Sequence, residues 1–237
     1  MTVGNSQQRF NPMPEVKPSP GDTALIIIDM QYRSAHPDYG WAKKAREAGK
    51  FEIFKSLFAR LPMVVANIQR VLQVCRENKI EVMYTVIRSW TRDGRDLSPS
   101  YKIKGATCAP GTKEVQILEE LKPIGDEIVP NKLSTSAFTS SPVDSVLRYM
   151  GIKKLLVAGV NTNYCVESFI RTAYDLGYEV VLLEDCCAAM DEKHHEVTCE
   201  EMDGKVFWRR QAHRGKSWPS STKKYPEVSS FLMSGIA

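Results

Sequence analysis

Short apolar runs alternate with segments of helical periodicity along most of this chain. Ala24–Asp29 (ALIIID) is apolar up to a closing carboxylate, which suits a parallel strand buried on both faces. After Pro62, placed as the first residue of a helix, Val65, Ile68, Val71, Leu72 and Cys75 recur at helical spacing. Lys79–Ile87 reads as a second strand and Asp126–Val129 as a short third. Ser141 and Pro142 open a helix as N-cap and N1, and Gly151 stops it. Lys154–Gly159 is a fourth strand. A helix over about Tyr164–Gly177 follows, with Val166, Phe169, Ile170 and Ala173 on one face. Tyr178–Leu183 is a fifth strand, and His194–Met202 fits a last helix.

Strand and helix in alternation predict an α/β fold, a three-layer α/β/α sandwich of Rossmann-like type around a mostly parallel sheet. Two stretches break the pattern. Residues 1–22 are polar and Pro-rich and are expected to form a flexible arm, free or laid on a second subunit; residues 23–237 then form one domain. Lys205–Glu227 is basic, aromatic and rich in turn residues. Its cluster Trp208, Arg209, Arg210, His213, Arg214 and Trp218 reads as a solvated or subunit-contact segment.

Composition narrows the partners. The 237 residues are 43% hydrophobic and 25% charged, ordinary for a globular domain. A formal charge of +4 with dispersed basic residues argues against nucleic acid. No apolar run reaches the ~18 residues of a membrane span, and the N-terminal stretch lacks an apolar signal-type segment. The six cysteines make no CxxC pair and fit no zinc spacing, so the expectation is a cytoplasmic protein with reduced thiols.

Parallel sheets gather functional groups at the carboxyl ends of their strands. Asp29 closes the first strand, Lys132 lies just after the third, and Cys165 lies where the fourth turns into a helix. An ammonium and a helix N-terminus both favour a thiolate nucleophile. A carboxylate can take the thiol proton, pass it to a leaving amine and then activate water against the thioester. Backbone N–H groups in the turn Gly159–Cys165 can hold the developing oxyanion, and one such donor is typically worth ~3 kcal/mol. Each residue alone has a plainer reading, as cap, solvated lysine or small buried apolar group. Their convergence favours chemistry.

These residues lie in motifs that resemble the isochorismatase-like cysteine hydrolases, a family that includes nicotinamidases, N-carbamoylsarcosine amidases, biuret hydrolases and ureidoacrylate hydrolases. The matching stretches are ALIIIDMQ at 24–31, PNKLSTSAF at 130–138 and LLVAGVNTNYCVESFIRTAYDLGYEVVLLEDCCAA at 155–189. The resemblance covers roughly residues 22–200. It implies an Asp29, Lys132 and Cys165 triad, a non-proline cis peptide at Val160–Asn161, and oxyanion donors from the N–H groups of Asn161 and Cys165. It also implies a homodimer or homotetramer. Nicotinamidases carry an Asp–His–His metal cluster after the second strand; MYTVIRSWTRDGRDLSP holds no histidine there, so neither metal nor cofactor is expected. Isochorismatases of siderophore pathways lack the cysteine, so Cys165 favours amide chemistry. The stretches DGRDLSPSYKIKG and LGYEVVLLEDCCA look most like the ureidoacrylate and carbamoyl-amide branch.

The expected function is therefore a cysteine-dependent amidohydrolase acting on a small amide, carbamoyl or ureido compound through a thioacyl-enzyme. Ester or vinyl-ether hydrolysis, or a non-catalytic binding protein on the same fold, are the alternatives. Gln31, Tyr32 and Arg33 after the first strand, Arg88 after the second, Phe138 and Tyr164 are candidate substrate contacts, with Arg33 suited to a carboxylate. Trp90 follows Arg88 in the same layer. His36 reads as solvated, and adjacent His194 and His195 as capping or exposed residues. Cys186 and Cys187 read as buried strand-end residues.

Overall fold

The computed structural model describes residues 16–106, 108–202 and 208–210; of the last three only the backbone is described. Its sheet has six strands, and every neighbouring pair is parallel. The strands are β1 (Thr23–Ile28), β2 (Glu81–Ile87), β3 (Asn131–Lys132), β4 (Lys154–Val160), β5 (Glu179–Ala188) and β6 (Trp208–Arg210), in the order β3-β2-β1-β4-β5-β6. β1 lies near the centre, and its six residues are all buried, as its unbroken apolar run requires.

The pleat sends alternate residues to opposite faces. Leu25 and Ile27 join Leu156, Ala158 and Val181 against the long helix α3 (Lys55–Glu77), through Leu57, Val64, Ile68 and Leu72. Ala24, Ile26 and Ile28 join Leu155, Val157 and Leu182 on the other face. There they meet α6 (Val143–Tyr149), α7 (Glu167–Asp175) and α8 (Glu192–Met202), through Leu147, Phe169, Ile170 and Met202. The short helices α1 (Tyr32–Ala35), α2 (Gly40–Glu47), α4 (Pro99–Ile103) and α5 (Ala137–Ser140) lie in the loops that follow strand ends. Among the described residues, no helix is long and apolar enough to cross a membrane.

Several boundaries differ from the sequence expectation. Pro62 lies inside α3, not at its start. A proline there forfeits one i→i−4 bond and costs about 3 kcal/mol. Leu57 and Leu61, both buried, continue the apolar stripe of Val64 and Ile68 toward the N-terminus and offset that cost. The third strand is Asn131–Lys132 rather than Asp126–Val129, so Lys132 is in it and not after it. Upstream, Ile128 makes one parallel bridge to Met83, and Pro130, lacking an N–H, interrupts the ladder between bridge and strand. β5 runs on to Ala188. The helix after β4 begins as one π turn, Thr162–Val166, before α7. β6 falls within the basic aromatic segment and adds an edge strand beside β5; the rest of that segment lies outside the described residues, as do residues 1–15 of the proposed arm. Residues 16–22 are fastened to the domain. Val16 belongs to the core, and Asp22 pairs with Lys154 at 2.8 Å.

Gly159 sits where the β4–β5 register shifts. Its φ is +124°, and a Cβ there would lie 2.1 Å from the carbonyl oxygen of Ile28 and 2.7 Å from its nitrogen. Neither backbone atom can move cheaply. Gly159→Ala is expected to lower the unfolding free energy by at least about 2 kcal/mol in urea titration.

Candidate active site

The ends of β1, β3 and β4 bring three remote side chains together. Lys132 Nζ lies 3.0 Å from Asp29 Oδ2 and 3.3 Å from Cys165 Sγ. It also donates to the carbonyls of Ser134 at 3.0 Å and Thr135 at 3.2 Å. Asp29 and Lys132 are 2% and 0% exposed, and Cys165 is buried. Asp29 carries φ +54°, an uncommon conformation for a residue with a side chain. Its N–H is held by the carbonyl of Thr85 at 3.0 Å. Asp29 Oδ1 is buried with no donor among the described residues.

Burial first, and the Asp29 carboxylate second, push the Cys165 thiol up to about 12, against the lowering pull of Lys132. Burial and the carboxylate thus oppose the thiolate that the lysine favours. For Lys132, burial acts downward, but the charge of Asp29 and then Cys165 prevail, and its pKa is raised. The cluster sets a carboxyl group, an amine and a sulfur side by side. Such a cluster can move a proton from sulfur to carboxylate while the sulfur attacks, with no free thiolate required.

The Val160–Asn161 peptide is cis. Asn161 precedes the π turn that carries Cys165, and its carbonyl accepts from Tyr164 and Val166 N–H groups.

A cavity of about 460 Å³ opens on these groups, within the range of small-molecule sites. Asp29, Cys165, Asn161, Val160, Tyr101 and Thr135 line it, with Trp41, Phe54, Leu57 and Met190 as apolar neighbours. Four cations also line it: Arg33, Lys44, Lys50 and Lys104. Arg33 is 4% exposed, and its Nε is buried without a hydrogen-bond partner among the described residues. It is held in α1, where Gly40 (φ +53°) abuts the Arg33 backbone so closely that a Cβ would fall 2.1 Å from its carbonyl oxygen. Tyr101, on α4, reaches 4.0 Å from Cys165 Sγ. Burial, then the Cys165 sulfur, raise its phenol pKa, so it is neutral and able to donate.

Of the sequence candidates, Arg33 and Tyr164 line this cavity; Gln31, Tyr32, Arg88 and Phe138 do not. Gln31 is fully buried and serves as a clamp, donating to the carbonyls of Ile87 and Val115 and accepting from Ile87 N–H. Tyr32 packs against His36 and, edge-on, Tyr39, and carries Lys113 on its ring. Arg88 donates to Asn131 Oδ1 at 2.7 Å. Phe138 packs on Phe169 and Tyr178, and Trp90 is 67% exposed. Tyr101, Thr135 and the lysines of the cavity were missed. Nothing in local periodicity marks them, although Tyr101 and Lys104 lie in the SPSYKIKG stretch noted for its resemblance.

His195 is 1% exposed, not capping or solvated as expected. It comes together with Glu184 and Cys199, their donor atoms within 4.8 Å of one another. These donor types suit zinc, but the imidazole faces Thr162 Oγ1 on one nitrogen and the Arg60 guanidinium on the other. A fixed cation against the ring nitrogen opposes a second one there.

The profile of the Isochorismatase domain matches residues 23–212. The ureidoacrylate amidohydrolase RutB of Rhizobium rhizogenes is 32% identical over 183 residues, 70% of each protein. A cysteine hydrolase from Pseudomonas syringae pv. phaseolicola superposes with a TM-score of 0.75 at 23% identity, covering 96% of this chain and 100% of that one. The N-carbamoylsarcosine amidase of Thermoplasma acidophilum gives 0.60 at 20% identity, covering 79% of this chain and 96% of its own.

Proposed function

Since the chain belongs to the isochorismatase family, we propose that it is a cysteine amidohydrolase that cleaves the C–N bond of a small carbamoyl or ureido compound bearing a carboxylate. The carrying observation is the meeting of Asp29, Lys132 and Cys165 at a cavity of substrate size. In the proposed cycle, Cys165 Sγ attacks the carbonyl carbon as its proton passes to Asp29. The N–H groups of Asn161 and Cys165 receive the oxyanion. The tetrahedral adduct collapses as Asp29 protonates the departing nitrogen, leaving an acyl group on sulfur, a thiocarbamate where the substrate is a urea. Asp29 then takes a proton from water, which attacks the acyl carbon, and returns it to the departing sulfur to restore the thiol. Lys132 stays charged throughout and holds the carboxylate against the sulfur. The curated relatives named as ureidoacrylate amidohydrolases support this bond type.

The carboxylate is inferred from Arg33. A buried guanidinium with an unsatisfied Nε is costly unless something completes it, and a substrate anion does so with two parallel bonds. Arg33→Gln is expected to raise KM for a carboxylate-bearing substrate by roughly 30-fold, the worth of about 2 kcal/mol for a charge-assisted bond. A neutral amide of the same skeleton should change little. Steady-state kinetics on the two substrates decides it.

An ammonia-release screen over primary amides, ureas, biuret, carbamoyl amino acids and ureido acids tests the function itself, with Cys165→Ala as the blank. Release from the carboxylate-bearing ureido members alone is expected. No release from any member, or equal release by the blank, would overturn the proposal.

A further inference from the structure

A chain of polar contacts runs behind the turn that carries Cys165, and the proposed cycle does not use it. On α3, Arg60 donates from Nε to the carbonyl of Cys187 at 3.0 Å. Its Nη1 pairs with Glu192 Oε1 at 2.6 Å. Its Nη2 lies 2.9 Å from His195 Nε2. On the far side of the ring, His195 Nδ1 lies 2.8 Å from Thr162 Oγ1. Thr162 opens the π turn between Asn161 and Cys165 and is fully buried. Four elements are thereby joined: α3, β5, α8 and the turn.

The chemistry of the partners fixes the ring. A guanidinium only donates, so His195 Nε2 must accept. The ring proton then resides on Nδ1 and is donated to Thr162 Oγ1. The two contacts hold the imidazole in one orientation.

We propose that His195 is a positioning residue for the reaction: anchored by Arg60, it fixes Thr162 and so seats the N–H groups of Asn161 and Cys165 against the developing oxyanion. The inference rests on the assignment of Cys165 as nucleophile. Its physical basis is that oxyanion donors act only when preorganised, and small displacements cost rate rather than ground-state binding. Lys132 and Tyr101 reach the turn at the Cys165 sulfur, whereas the Thr162 hydroxyl ties its opening residue to α8.

Kinetics on the best substrate of the ammonia screen test this, together with thermal midpoints. His195→Leu is expected to lower kcat by ~30-fold with KM within about twofold, the loss of a well-placed oxyanion donor being typically 100-fold or more. His195→Asn, whose amide can donate from the position of Nδ1, should recover most of that loss. Thr162→Val, nearly isosteric, should reproduce it, and His195→Leu with Thr162→Val should lose no more than either alone. Unchanged kcat in Thr162→Val, or losses that multiply in the double variant, would overturn the proposal. So would thermal midpoints that fall while kcat per folded enzyme stays constant. Cys165→Ala is measured alongside. If it retains turnover, the nucleophile assignment fails; if it is inactive while Thr162→Val is fully active, only the role of His195 fails.

Discussion

Cys165→Ala is expected to lower kcat by roughly 10⁴-fold or more, the scale seen when a covalent nucleophile is removed, with the fold intact. Asp29→Asn should lose turnover comparably, but the two variants part company in thiol chemistry. With its pKa pushed to about 12 by burial and then by Asp29, the wild-type thiol should alkylate slowly across the neutral range. Removing the Asp29 charge removes one of the two upward causes, so Asp29→Asn should alkylate at lower pH than wild type while it fails to turn over. That opposition separates a base from a mere electrostatic neighbour. Iodoacetamide labelling rates against pH, read beside ammonia release, provide the measurement. Wild-type turnover without the carboxylate, or a labelling profile that shifts upward in Asp29→Asn, would contradict the scheme.

Lys132→Met should be the most destabilising substitution in the site. The ammonium is wholly buried and is the cation held against Asp29 at 3.0 Å. Removing one member of a buried pair leaves the other charge uncompensated, and about 3–5 kcal/mol of unfolding free energy should be lost in denaturant titration. The double variant Asp29→Asn with Lys132→Met should regain much of that stability and none of the activity. The alkylation profile of Lys132→Met should move up, because its charge is what pulls the sulfur pKa down. The sign with pH follows from linkage. The folded pKa of Lys132 is raised above 10.5, so the pair's contribution is complete below that pH and declines as pH rises past it.

The layered fold and the three strand-end groups were legible because they depend on local runs and on a rule of parallel topology. β1 is all apolar since both its faces are covered, and a carboxylate at its end is conspicuous. The partners that decide the chemistry were less legible. Arg33 and Arg88 look alike in sequence, yet one is buried in the cavity wall and the other pairs with Asn131; only the packing of α1 under Gly40 separates them. His195 reads as a polar residue near a helix start, and its burial depends on an arginine 135 positions away. The thiol was expected to be activated by its surroundings. Desolvation, which no pattern of residues along the chain expresses, acts against the lysine there.

On the proposed function, the four cations around the cavity should treat the fragments of a cleaved ureido acid differently. Released ammonia, protonated in bulk water, should be kept from returning by like charge. The fragment that keeps the anion should still be gripped by Arg33. Turnover should then be throttled by the departure of the acidic fragment, which should compete with fresh substrate, while added ammonium salts should leave the rate nearly untouched at constant ionic strength.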